Sequence, residues 1–154
     1  MGEIMINERQ VGSILSGLLG RDVDVSGIAD GVNPHSATAR GLVTDDDRLV
    51  AVIATDLLFA HRSAAAMAMM PAAIVEEAGE EPDDDLMEVY QEVANVLSRL
   101  ANEAAPSRVR IDPNMDHAMQ ALQQIVVKGQ VMSAVETEIE GYGPGRMGIW
   151  HVFN

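Results

Sequence analysis

The sequence predicts an α+β domain in which two main helices pack on a largely antiparallel sheet. Three observations predict it. Apolar residues recur at helical spacing in 7–19 and 85–103, short β-branched runs broken by turn residues fill 22–54, and an order of helix followed by strands occurs twice. A chain of 154 residues, 47% hydrophobic and 22% charged, carries enough apolar surface to form one domain spanning 1–154.

Residues 7–19 place Val11, Ile14, Leu15, Leu18 and Leu19 on one helical stripe, with Asn7 as N-cap and Gly20 as a stop. The runs 22–28, 37–43 and 49–54, separated by Gly31-Val32-Asn33-Pro34 and by Asp45-Asp46-Asp47, are expected as three antiparallel strands. Residues 56–70 turn to Leu, Ala and Met without Gly or Pro. They predict a second helix, capped by Thr55 or Asp56 and ended by Pro71, in which Met67, Met69 and Met70 fill core gaps. The acid-rich stretch 76–85 is expected as an exposed loop whose last residues favour the positive end of the next helix. Beyond that helix, 108–111, 126–139 and 147–153 are expected as strands, 141–145 as a turn and 117–124 as a helix.

Ten Lys and Arg against 24 Asp and Glu give a net charge of −14, and Lys128 is the only lysine. Phosphate-backbone binding needs clustered cations, so nucleic acid is not an expected partner. Any phosphate chemistry would draw its cations from a partner protein. The absence of Cys excludes disulfides, thiolate zinc sites and cysteine nucleophiles. No apolar run approaches the ~20 residues of a membrane span, and no basic-then-apolar leader opens the chain. A soluble, cytoplasmic protein with no membrane contact is therefore expected.

Residues 85–103 are the most informative segment. Leu86, Val89, Tyr90, Val93, Val96, Leu97 and Leu100 form one apolar stripe, the mark of a helix laid on a core. Opposite them, Glu88, Glu92, Asn95, Arg99 and Asn102 follow at steps of four, three, four and three and make a second, polar stripe. Every amphipathic helix has a solvated face, and that is the plain reading. Yet two acids on consecutive turns repel by about 0.2–0.5 kcal/mol, and Asn is a mediocre mid-helix residue. A binding site accounts for both costs.

The segment Glu88-Val89-Tyr90-Gln91-Glu92-Val93-Ala94-Asn95-Val96-Leu97 resembles the acid-x-x-x-Glu-x-x-Asn signature of the CheC/CheX/FliY family of chemotaxis phosphatases. The order of elements is similar over residues 5–135. The resemblance implies a CheC-like fold and hydrolysis of the aspartyl phosphate on a CheY-type response regulator. It further implies that Asn95 orients the attacking water and that Glu92 pairs with the lysine beside the partner's phosphoryl group. Glu88, Arg99 and Asn102 would be docking contacts. Magnesium is expected on the phosphorylated response regulator, with no metal or cofactor of this chain's own. CheC-type members carry two copies of the motif, but here the first helix offers Glu8 followed three residues later by Val11. One site, CheX-like, is the consistent count, and a homodimer is implied with it. The alternatives are a non-catalytic CheC-like module that binds a response regulator or flagellar switch component, and an acidic secretion-chaperone-like protein.

Other signals carry less. Gly143-Pro144-Gly145-Arg146-Met147-Gly148 has dinucleotide-like glycines but leads into a strand-like run, so a hairpin turn is expected. Asp112, Asn114 and Asp116 open like a calcium loop but lack its glycine and its final glutamate. His35, His61, His117 and His151 have no ligand spacing, and Trp150 is expected either in the core or at a subunit contact.

Overall fold

Six strands form one sheet in the computed structural model, which describes residues 8–28, 37–78, 82–104, 109–112, 115–127 and 133–151. The strands are β1 (Val23–Gly27), β2 (Ala37–Val43), β3 (Leu49–Asp56), β4 (Arg110–Ile111), β5 (Ser133–Ile139) and β6 (Gly143–His151). Their order is β1-β5-β6-β3-β2-β4, and every neighbouring pair is antiparallel. The helices are α1 (Glu8–Leu19), α2 (Leu57–Met67), α3 (Ala72–Ala78), α4 (Asp84–Ala104) and α5 (Met115–Val127). This is the α+β architecture the sequence predicts.

Strand alternation divides the core in two. Leu42, Ile53, Val135, Met147 and Ile149 lie with α1, α2 and α4 in one buried cluster, which also holds Val11, Leu15, Phe59, Val93 and Leu97. Val52, Ala54 and Trp150 point to the other face, where Ala118 and Leu122 of α5 cover them. So α1, α2 and α4 share the face on which two main helices are expected, and α5 adds a cover on the far side.

Several expectations need correction. The strand at 22–28 does not join the β2–β3 pair but borders β5, at the opposite edge of the sheet. The second helix ends at Met67, not at residue 70: Met69 takes φ 60°, a left-handed conformation, and is 85% exposed, so it fills no core gap. Pro71, expected to end that helix, instead starts the next one: its carbonyl accepts from Ile74 N (3.0 Å) and Val75 N (3.3 Å). Glu76 and Glu77 therefore belong to α3 rather than to a loop. Val126 and Val127 close α5 instead of opening a strand. The turn lies at residues 140–142, and the glycine-rich run is the start of β6. Asn7, proposed as a cap, lies outside the described residues, whereas Asp56 does cap α2 by accepting from Phe59 N at 2.7 Å.

The glycines of that run have a packing role. A Cβ on Gly145 would lie 2.5 Å from Phe59 Cβ and 2.7 Å from its Cα, so α2 rests on β6 only because Gly145 has no side chain. Arg62 Nη1 ties the same contact by donating to the Pro144 carbonyl at 2.5 Å. Gly145→Ala is expected to lower unfolding free energy by about 1–3 kcal/mol, read by urea denaturation. An unchanged midpoint would contradict the close approach.

Candidate functional site

Helix α4 is fixed at its start by Asp83, whose carboxylate accepts from Leu86 N at 2.8 Å, with Asp84 and Asp85 in the positive first turn. Its apolar stripe packs as expected: Leu86, Tyr90, Val93 and Leu97 are buried, and Val89, Val96 and Leu100 are half-buried. The opposite face is open. Glu88, Glu92, Asn95 and Arg99 are all exposed, so the structure brings four of the five expected site residues to one accessible row. The fifth, Asn102, lies on the same helix, but its side chain is outside the described residues.

Polar contacts beneath the helix set its position. Tyr90 shares a hydrogen bond with Thr55 of β3, and burial pushes its phenol up to about 12, so it stays neutral at any physiological pH. Arg40 of β2 is 6% exposed and reaches the underside of α4, where its Nη2 donates to Gln91 Oε1 at 2.6 Å. Its Nη1 donates to Ala39 O (3.0 Å) and Thr38 Oγ1 (3.3 Å). Burial pulls this guanidinium below its ordinary value, and the opposing effect of the Tyr90 phenol is the smaller of the two.

Sequence reasoning passed over Arg40 and Gln91. A cation within a mostly apolar strand, Ala37–Val43, was the available signal for Arg40. Ring nitrogens of His61 and the indole N–H of Trp150 are buried with no hydrogen-bond partner among the described residues, and neither lies on the exposed face of α4.

Between α1 and α4 runs an open groove of about 590 Å³, lined by Ile14, Gly17, Leu18, Val96, Arg99 and Leu100 together with Ser13. Arg99 thus borders an open groove of mixed polar and apolar lining and makes no ion pair among the described residues. No cluster of three or more acidic or histidine side chains suited to a metal occurs among the described residues. Nor is any helix among them long and apolar enough to cross a membrane. The row on α4 offers carboxylates, an amide and a guanidinium on an exposed helix face rather than inside an enclosed cavity.

No family model matches the chain, and no curated protein matches it in sequence. Solved structures do. The chain is similar to the FliM middle domain of H. pylori, with a TM-score of 0.61 and 13% identity over 94% of this chain and 84% of that one. It is similar to FliM in the FliM–SpeE complex of H. pylori (TM-score 0.60, 15% identity, 94% and 80% covered). It is also similar to Thermotoga maritima FliY (TM-score 0.51, 18% identity, 90% and 80% covered). The fold is that of FliM middle domains and their CheC-like relatives.

Proposed function

We propose that the protein is a CheX-like phosphatase that hydrolyses the aspartyl phosphate of a CheY-type response regulator, with Glu92 and Asn95 as its working pair. The observation that carries this reading is the placement of Glu92 and Asn95, exposed and one turn apart on α4, within a domain that folds like FliY. The resemblance of 88–97 to the family signature gives those two positions their roles.

An acyl phosphate is already activated, so a catalyst need only hold water in line and favour the spread of charge. An amide suits the task at residue 95. It donates and accepts, and so fixes a water in both senses, whereas a carboxylate there would repel the phosphoryl oxygens. In the step, the water oxygen bonds to phosphorus as the phosphorus–oxygen bond to the aspartyl carboxyl breaks. The electron pair leaves on the aspartate carboxylate, and both water protons depart on inorganic phosphate. Magnesium and a lysine on the response regulator would neutralise the phosphoryl charge, and Glu92 would pair with that lysine. Glu88, Arg99 and Asn102 would make the surrounding contacts, with the protein acting as a homodimer in the cytoplasm.

A second reading has its own support: the FliM similar to this chain was solved in complex with another protein, SpeE, so a domain of this fold serves there as a binding module. In that reading the chain binds a response regulator or a switch component without turnover. A chaperone-like role has less support, since Met69 and Ile74 are the large hydrophobics exposed among the described residues. Titration calorimetry against a response regulator, with and without beryllofluoride, separates the first two readings from the chaperone-like one, and turnover of the aspartyl phosphate separates those two from each other. Tighter binding of the beryllofluoride form is expected. Equal binding of both forms, or none, would contradict recognition of the phosphorylated state.

A further inference from the structure

Arg40 is a buried cation in a chain of net charge −14, yet among the described residues its acceptors are all neutral: a hydroxyl, a carbonyl and the Gln91 side chain. A guanidinium buried without a carboxylate is costly, and the cost demands a use. Its geometry supplies one. Guanidinium groups only donate, so the amide of Gln91 must turn its oxygen inward to Arg40. Its Nε2 is then directed away from Arg40, makes no hydrogen bond among the described residues and is not sealed from solvent. Gln91 stands three residues after Glu88 and four before Asn95, which puts its Cβ roughly 5–6 Å from theirs on the same side of α4. An outward amide donor therefore flanks Asn95.

We infer that Gln91 is a further catalytic residue of this site, a preset hydrogen-bond donor to a phosphoryl oxygen, and that Arg40 is the positioning residue that orients and polarises it. The inference rests on the phosphatase reading and deepens it. The arrangement solves an electrostatic difficulty of the exposed row. Glu88 and Glu92 repel an approaching phosphoryl group, but an exposed cation within one turn of them would be captured by those same carboxylates, and Arg99 stands seven residues beyond Glu92. A cation kept beneath the helix escapes that pairing and acts through a neutral amide, whose N–H it strengthens by drawing on the amide oxygen.

Gln91→Glu and Gln91→Ala in the full chain test this. Glutamate keeps the contact to Arg40 as an ion pair, so Gln91→Glu is expected to melt at or above the wild-type temperature while losing at least tenfold in kcat for a phosphorylated response regulator. Gln91→Ala is expected to lose a similar factor in kcat with KM changed less than threefold. Arg40→Lys should share the kcat loss, and the Gln91 variants decide the matter if it fails to fold. Wild-type kcat in both Gln91 variants would overturn the inference and leave the phosphatase reading standing. If the wild type binds the beryllofluoride form without accelerating decay, the phosphatase reading falls. The donor role then stands or falls by whether Gln91→Glu weakens that binding at least tenfold while sparing the unactivated form. A wild type that neither binds nor hydrolyses overturns both.

Discussion

Asn95→Ala is expected to remove at least about a hundredfold of the acceleration of phosphoaspartate decay, equivalent to about 2.7 kcal/mol of barrier, and to leave the fold intact. Asn95 is exposed on α4 and makes no hydrogen bond among the described residues, so nothing in the packing depends on it. Alanine is the better helix former, and a surface change of this kind shifts stability by less than about 0.5 kcal/mol. Asn95→Asp sharpens the comparison. It keeps the shape but sets a negative charge against the phosphoryl oxygens, and the same loss of rate is expected from it. Binding of the beryllofluoride form should survive Asn95→Ala within a few-fold, since the proposed docking contacts are Glu88, Glu92, Arg99 and Asn102. A melting temperature that collapsed with Asn95→Ala would mark the residue as structural instead.

Trp150→Ala is expected to cost about 3–5 kcal/mol, a large fraction of the ~5–15 kcal/mol that hold such a domain folded. Trp150 is fully buried in β6, paired with Val52, and fills the layer between the sheet and α5 with Ala39, Val43, Leu49, Ala118 and Leu122. Small neighbours cannot collapse into the space it would leave. Its indole N–H has no partner among the described residues, so part of the indole's benefit is already offset. Trp150→Phe removes that unpaired donor along with some volume and should cost no more than about 1 kcal/mol. Circular dichroism through urea unfolding checks both, and equal losses would contradict the account of the unpaired N–H.

Much of this molecule is legible in its sequence, and the reasons are local. The amphipathic pattern of 85–103 needs no partner to be read, and its exposed row follows from 3.6-residue geometry alone. The boundaries of β2 match the run 37–43 because turn residues flank it. What escaped depends on distant neighbours. Val126 and Val127 carry β propensity but extend α5, since Ala118 and Leu122 anchor that helix over Trp150. The pairing of β1 with β5, more than a hundred residues apart, leaves no local mark. Arg40 and Gln91 are 51 residues apart, and neither alone suggests a site. The groove that Arg99 borders likewise exists only once α1 lies beside α4.

The most direct test of the central claim is the lifetime of the aspartyl phosphate on a CheY-type response regulator from the same organism, with and without saturating wild-type protein. The account predicts a lifetime shortened at least about a hundredfold, with inorganic phosphate released in step. An unchanged lifetime on every such response regulator, with the protein folded and bound, would contradict it.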